Sequence, residues 1–463
     1  MTPYTKIMLF AQHASHLHPL LQGAATLIQA HLPVKTRVLR HSCGSGCAAF
    51  FLNFRKTSMP NLFSPYTLKG VTLRNRAVMS PMTMYNSVDG KLDDYHVSYL
   101  GARAAGGFAL VFGEQMAITP DGRTTTSCAG IWNDDQIEGH ARVVAIIERM
   151  GAVAAIQLGH TGRKGSEIAP HLRAKAAGKQ LPPDHPDGWT CVAPSAIPYG
   201  GGGHIYPVHA LTVDEIKALH QSYAAAARRA LDAGYKWLEM HYAHGYLGAS
   251  FLSPLANQRT DQYGGSVANR ARFHCEALDA VRAVWPEKYP LTMRLGSDDL
   301  HPAGTQFDDA VLAIKMMKEH GLDLADLSLG FNTDDMVNPR MNEVGFMVAR
   351  ANRVRTEVQI PVATSWNLGI PQNADRVIRE ELIDLVMLGR PALANPHWPI
   401  WAARELGHEA PFSLVADDWR WWLENFRGHA PSIGWPALPQ FEASAPGPSE
   451  HPHADRSLTA PVT

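Results

Sequence analysis

The sequence predicts an α/β fold, a (β/α)8 TIM barrel in a single domain, with a long capping loop and a C-terminal aromatic tail. Two observations predict it. Eight short apolar runs are continuous rather than alternating, as in strands buried on both faces of a parallel sheet. Longer segments of helical period separate them, and eight such pairs over about 340 residues suit a closed barrel better than an open doubly wound sheet.

The chain opens with residues 1–58, which contain six Lys or Arg and five His but no Asp or Glu. Targeting segments share that acid-poor composition, yet the sustained apolar core of a secretory signal is missing, and Met59 opens a stretch suited to a natural start. Residues 1–58 therefore read as an extension outside the fold, with an organellar or functional segment as the alternative. The barrel is expected over 59–408. Its strands fall at Ala77–Met82, Leu110–Gly113, Val153–Leu158, Trp237–Met240, Leu291–Leu295, Leu324–Leu329, Pro361–Thr364 and Leu385–Leu388.

Two helices show how the intervening segments work. Val213, Ile216, Leu219, Tyr223, Ala226, Ala230 and Leu231 share one stripe, Thr212 and Glu215 make a capping box before it, and Gly234 ends it. Over Asp134–Met150, Ile137, Val144, Ile147 and Met150 share another, with Gly151 after it. One connection breaks the rhythm: about fifty residues from Gly159 to Thr212, rich in Pro, Gly and Lys, form either a cap over the site or a disordered stretch. Its Gly200–Gly203 quartet follows no strand and opens no helix, so it reads as a hinge or loose tip rather than a phosphate cradle. Residues 409–435 form an aromatic segment with Trp419, Trp421 and Trp422, and 436–463, rich in Pro, Ala and Ser, a disordered tail.

Composition excludes several classes. With 45% hydrophobic and 18% charged residues the chain suits a globular core, and a formal net charge of −1 without a basic stripe argues against a nucleic-acid partner. No apolar run is long enough to span a bilayer. Five scattered cysteines imply reduced thiols, and Cys43 and Cys47 lack the second pair that a metal site wants, so no metal is expected. A cytoplasmic setting follows as the expectation.

Reactive residues of such barrels gather at the carboxyl ends of the strands. The positions to inspect are Thr83 and Tyr85 after the first run, Gln157 in the third, His241, His244 and Tyr246 after the fourth, Arg294 in the fifth, Trp366 after the seventh, and Gly389 and Arg390 after the eighth. This set holds no pair of acids, so glycosidase chemistry is not offered. His241 and His244 admit three readings: zinc ligands short of a third partner, core histidines held by backbone bonds, or paired donors that grip a carbonyl or phenolate oxygen. Only the third also explains Tyr246, placed to deliver a proton to a neighbouring carbon. Oxygen-gripping donors with a proton donor make half of a conjugate reduction, and the hydride must come from a cofactor. A phosphate-bearing flavin suits the rest, with Arg294 and Gln157 at its polar ring edge and Gly389–Arg390 where barrels commonly bind phosphate.

The stretches LFSPYTLKGVTLRNRAVMSPMTMY (Leu62–Tyr85), AIQLGHTGRK (Ala155–Lys164), HYAHGYLGASFLSPLANQRTDQYGGS (His241–Ser266) and LGRPALANP (Leu388–Pro396) resemble the old yellow enzyme family of FMN-dependent ene-reductases. The match runs from about residue 60 to 430 in order and spacing, and is most similar to the bacterial xenobiotic-reductase and thermophile-type branch. The resemblance implies tightly bound FMN reduced by NADPH or NADH, a small-molecule substrate with an activated double bond, and a homodimer or larger homo-oligomer. By position, Ser80, Pro81, Met82 and Thr83 would pass under the flavin, Gln157 and Arg294 would hold its pyrimidine part, and Gly389 and Arg390 its phosphate. Tyr85, His241 and His244 would bind the substrate oxygen and Tyr246 would donate the proton.

Three departures qualify the likeness. Thr83 stands where many members carry Cys, which should alter the flavin's potential. Gln115 stands at a flavin-contacting place usually held by a small residue. Trp366 follows Ser365 where others often have Gly, which places an indole at the substrate or flavin edge. In this branch a tail tryptophan, here Trp422, reaches a neighbouring subunit's site; packing on its own barrel is the alternative. The last cysteine, Cys275, precedes the region where iron–sulfur relatives carry their cluster, so that subgroup does not fit. Two rivals remain: a flavin barrel acting on RNA, which should show a basic face, and a non-catalytic flavin sensor.

Overall fold

The computed structural model describes residues 59–173, 179–201, 203–337 and 341–425. The expectations for 1–58, for 436–463 and for the end of 409–435 lie outside the described residues. Eight parallel strands close into a barrel in chain order: β1 (Ala77–Met79), β2 (Leu110–Ala117), β3 (Val153–Gly159), β4 (Trp237–Tyr242), β5 (Leu291–Gly296), β6 (Leu324–Ser328), β7 (Val362–Thr364) and β8 (Leu385–Leu388), with β8 paired back to β1. Every strand is buried along almost its whole length, which is why the runs read as unbroken apolar segments.

Several strand ends differ from the sequence reading by one or two residues, the fourth strand running on past Met240 to Tyr242 and so taking in His241, and two differ by more. The first stops at Met79 because Pro81 has no N–H to extend the ladder, although Ser80 and Met82 still donate to Leu388 and Gly113 carbonyls. The second runs on to Ala117 through a register shift between Phe112 and Gln115. Its polar Glu114 and Gln115 are buried, so hydropathy ends the strand early.

Apolar side chains close the amino end of the barrel: Val78, Leu110, Phe112, Trp237, Leu324 and Leu385 pack with Val71 and Leu73 of an antiparallel hairpin, Tyr66–Leu68 with Val71–Leu73. Burial of this plug is the dominant stabilising term at that end, at about 25 cal/mol per Å2 of apolar surface. The opposite, carboxyl end is left for polar side chains. On the outside, helix Val213–Asp232 buries Ile216, Leu219, Tyr223 and Ala226 and has the expected Thr212–Glu215 capping box. Gly234, at φ 99°, takes the left-handed turn after it. The other amphipathic segment divides into a 3₁₀ turn, Asp134–Gln136, and an α-helix, Ile137–Arg149.

The long connection is a packed cap. Val192–Ala193 and His209–Ala210 pair within it, and Arg163, almost fully buried, bonds the carbonyls of Ile197, Pro198 and Asn332 across it. Within the glycine quartet a Cβ on Gly201 would lie 2.1 Å from Asp334 Oδ2, so the missing side chain lets the chain close on Asp334, whereas one on Gly200 would meet nothing within 4 Å.

Candidate active site

The chain leaves β4 and turns sharply. His244 (φ 63°) and Gly245 (φ 74°) both adopt the left-handed conformation. Glycine is required at 245, because a Cβ there would meet the Phe331 carbonyl at 2.2 Å and Lys164 Nζ at 2.9 Å. The turn folds the segment back on itself and brings three rings together. Ring centroids of His241 and His244 lie 5.0 Å apart, those of His241 and Tyr246 5.2 Å, and those of His244 and Tyr246 6.5 Å, all edge to face.

Burial decides the charge on these rings. The His241 imidazole is pushed down to about 3, first by desolvation and then by Arg294 nearby, and His244 lies well below the ordinary histidine value for the same reasons. Both are neutral at pH 7, each with one N–H to give. His244 Nε2 also meets Ser328 Oγ at 2.9 Å. Burial raises the Tyr246 phenol to about 12, so it holds its proton across the physiological range, and the Thr124 hydroxyl acts against that rise. Tyr85, at φ 57°, is raised by burial as well.

His244 stands at the junction of two cavities. The smaller, ≈ 400 Å3, is lined by Tyr85, Thr124, Lys164, Tyr199, Tyr246 and Phe331 among others, and includes Glu167, Pro170 and Arg173 of the cap. The larger, ≈ 970 Å3, runs from Ser80, Pro81, Met82 and Thr83 past Arg294 and Trp366 to Gly389 and Arg390. Cavities of this size hold small ligands and cofactors. Its chemistry suits a flat, polar-edged ring with a phosphate: Arg294 offers a cation at one place and Arg390 at another, and the Trp366 indole N–H is buried without a hydrogen bond. A Cβ on Gly389 would touch nothing closer than Met82 Sδ at 3.5 Å, so the protein leaves space there unfilled.

The expected residues do not all converge. Gln157 is buried behind the larger cavity, where its Nε2 donates to Glu239 Oε1 at 2.8 Å. Gln115 turns away from the cavity: its side chain fills the space beside Gly159, and Nε2 points at the Gly122 carbonyl at 3.5 Å. Trp366 lines the larger cavity, stacked near Phe331 with ring centroids 6.2 Å apart. Trp422 is 73% exposed on helix Asp417–Glu424, packed edge to face against Trp421 and lining neither cavity. Among the described residues no group of His, Cys, Asp or Glu is arranged to hold a metal ion, and no helix is long and apolar enough to cross a membrane.

Sequence reasoning missed Lys164. Its ammonium donates to the carbonyls of His244 (2.9 Å) and Phe331 (3.1 Å) and lies 4.1 Å from the centre of the Tyr199 ring. Both carbonyls belong to left-handed residues, at φ 63° and 51°. Lys164 thus staples the turns after β4 and β6 and sets the height of His244. Burial pulls its amine down to about 7. The only hint in the sequence is its place after the Gly162–Arg163 pair beyond β3. Lys164→Met is expected to weaken phenol binding about tenfold, consistent with the loss of two buried hydrogen bonds, while FMN content stays unchanged. Spectral titration with a para-substituted phenol measures it.

A closed (β/α)8 barrel whose carboxyl end carries a ring-sized cavity and neutral imidazole donors defines a flavin-dependent oxidoreductase. The chain belongs to the NADH:flavin oxidoreductase / NADH oxidase family, the old yellow enzyme family, whose model matches residues 61–409. It is 40% identical over 350 residues to the NADPH dehydrogenase of Geobacillus thermodenitrificans, covering 75% of this chain and 94% of that one. The NADPH dehydrogenase of Bacillus cytotoxicus is also 40% identical, over 352 residues, with 75% and 93% covered. Among solved structures, morphinone reductase in complex with tetrahydroNAD superposes with a TM-score of 0.62 at 29% identity, covering 75% of this chain and 91% of that one. A 2-naphthoyl-CoA reductase complex superposes at 0.66 with 26% identity; it matches 77% of this chain, which spans about half (53%) of that protein. The protein is an enzyme, an NAD(P)H:flavin oxidoreductase that uses FMN.

Proposed function

We propose that this enzyme reduces carbon–carbon double bonds conjugated to a carbonyl or similar electron-withdrawing group, with Tyr246 as proton donor. The observation that carries the reading is the packing of two neutral imidazoles and one protonated phenol against one another: His244 lines both cavities, Tyr246 lines the smaller one and His241 is buried behind His244. FMN reduced by NAD(P)H would, when bound along the larger cavity, supply the hydride that no side chain can give. Ser80, Pro81, Met82 and Thr83 would lie under it, Arg294 and Gln157 would hold its pyrimidine edge, and Gly389 and Arg390 its phosphate.

The side chains do the remaining work. His241 and His244 donate hydrogen bonds to the substrate oxygen, and these strengthen as enolate-like charge develops there. Tyr85, at the wall of the smaller cavity, is a further oxygen ligand. Tyr246 then gives its proton to the carbon beside the carbonyl. Because its phenol is held near 12, it is protonated at any working pH, and the rate of this step should not fall before strongly alkaline conditions. Trp422, exposed on the tail helix, would serve a neighbouring subunit of a homodimer or larger assembly.

Anaerobic titration of the reduced, bleached enzyme with cyclohexenone tests the reading. Return of the yellow colour with formation of the saturated ketone is expected; a flavin that stays reduced would reject it in favour of another acceptor. Tyr246→Phe should slow this reoxidation about a hundredfold and leave reduction by NADPH untouched. Equal reoxidation rates for the variant and the parent would remove Tyr246 from the chemistry.

A further inference from the structure

Each of the two residues assigned to the cofactor's pyrimidine edge has a buried acid behind it. Arg294 Nε lies 3.4 Å from Asp326 Oδ2, across the register pair that joins β5 to β6. Gln157 Nε2 donates to Glu239 Oε1 at 2.8 Å, across the pair that joins β3 to β4. Glu239 and His241 are two residues apart on β4, so their side chains leave the same face of the strand. Asp326 is wholly buried, and neither of its carboxylate oxygens has a hydrogen bond.

An ionised acid in such a place is costly, and a neutral side chain of the same shape would be the more stable occupant. What holds Asp326 ionised is the guanidinium beside it. Arg294 reaches Ser80 Oγ and Ser365 Oγ only at 3.5 and 3.4 Å, so its two terminal nitrogens face the larger cavity with loose partners while Nε is anchored. Asp326 thereby aims the fork and, by its own charge, weakens the positive field the fork presents. Glu239 does the matching task for the amide of Gln157, taking its N–H and so fixing the side chain.

We infer that Asp326 and Glu239 are positioning residues for the cofactor, acting through Arg294 and Gln157, and that Asp326 tempers the charge that Arg294 places at the pyrimidine edge. The inference rests on the proposed roles of Arg294 and Gln157. Burial raises both carboxyls; Asp326 raises Glu239 further, whereas Arg294 pulls Asp326 down. Glu239 therefore keeps the proton and still accepts from Gln157 through its carbonyl oxygen, and Asp326 carries the negative charge. The groups facing Glu239 from its neighbours are Gln157, Arg294 and Asp326, with His241 neutral on its own strand.

The test measures the FMN midpoint potential and the FMN dissociation constant of the holoenzyme and its variants. Asp326→Asn should bind reduced FMN at least tenfold more tightly relative to oxidised FMN, a rise of about 30 mV for a two-electron couple. Glu239→Gln, a neutral isostere, should leave the potential at neutral pH unchanged. In the parent enzyme, loss of the Glu239 proton under alkaline conditions adds a second negative charge and steepens the fall of potential with pH; Glu239→Gln should abolish that break. The break persisting in Glu239→Gln, or an unshifted potential in folded Asp326→Asn, overturns the inference, and the first readout stands even where Asp326→Asn does not fold. Arg294→Lys separates the two levels. If it alters FMN affinity or potential while the acid variants do not, only this inference fails; if none of them does, the assignment of Arg294 fails with it.

Discussion

His241→Ala is expected to bind para-substituted phenols at least a hundredfold more weakly and to lose a similar factor in kcat/KM for enones. The argument is electrostatic. A neutral imidazole donor in a dry site contributes on the order of 3 kcal/mol to the charge that develops on the substrate oxygen, which corresponds to about two orders of magnitude. His241 is buried and its ring faces both His244 and Tyr246, so no water of comparable geometry replaces it. The FMN content of the variant should match the parent, because His241 does not line the larger cavity. Phenol titration followed by the flavin spectrum reads the affinity directly. Unchanged phenol affinity in a protein that still carries FMN would assign the gripping role elsewhere.

The second large effect is acid instability. His140, His241 and His274 are held at about 4, 3 and 4 by burial, and His244 is lowered too. Their folded values lie below the unfolded value of 6.5, so below that pH the unfolded chain binds protons that the folded chain refuses. Stability therefore falls as pH falls from 6.5 toward 4. Glu239 and Asp326, held above their unfolded values, act in the opposite sense and offset two of the four. The net slope is roughly 3 kcal/mol per pH unit near pH 5, large against a typical total of 5–15 kcal/mol. Denaturant midpoints at pH 7.5, 6 and 5 should drop steeply, and His140→Gln should flatten the slope by about one proton. His140 is the apt probe because it bonds Tyr235 (3.0 Å) and the Gly130 carbonyl (3.1 Å), outside both cavities. A stability constant from pH 7 to 5 would contradict the neutral state of these rings, and with it the account of His241 and His244 as neutral donors.

Much of the barrel was legible in the chain because its strands are buried on both faces. That burial forces unbroken apolar runs, and a capped, striped helix between successive runs announces the alternation. Where a strand buries polar groups the signal vanishes, as at Glu114 and Gln115 in β2. The cap was ambiguous for a related reason. Its order comes from contacts far apart in sequence, such as Arg163 with Asn332 and Gly201 with Asp334, and no local periodicity records them.

For the site, the sequence by itself determined which side chains gather at the barrel's rim: His241 at the end of β4 with His244 and Tyr246 just after it, Arg294 in β5, Gly389 and Arg390 after β8. Strand order places them there whatever the loops do. Only the tertiary structure decided their states and supports. It made the imidazoles neutral by enclosing them, bound Lys164 to two left-handed turns, turned Gln115 away from the cavity, and set Asp326 and Glu239 behind Arg294 and Gln157. Charge and hydrogen bonding depend on what surrounds a group in three dimensions, and those surroundings come from β strands and loops that are distant in sequence.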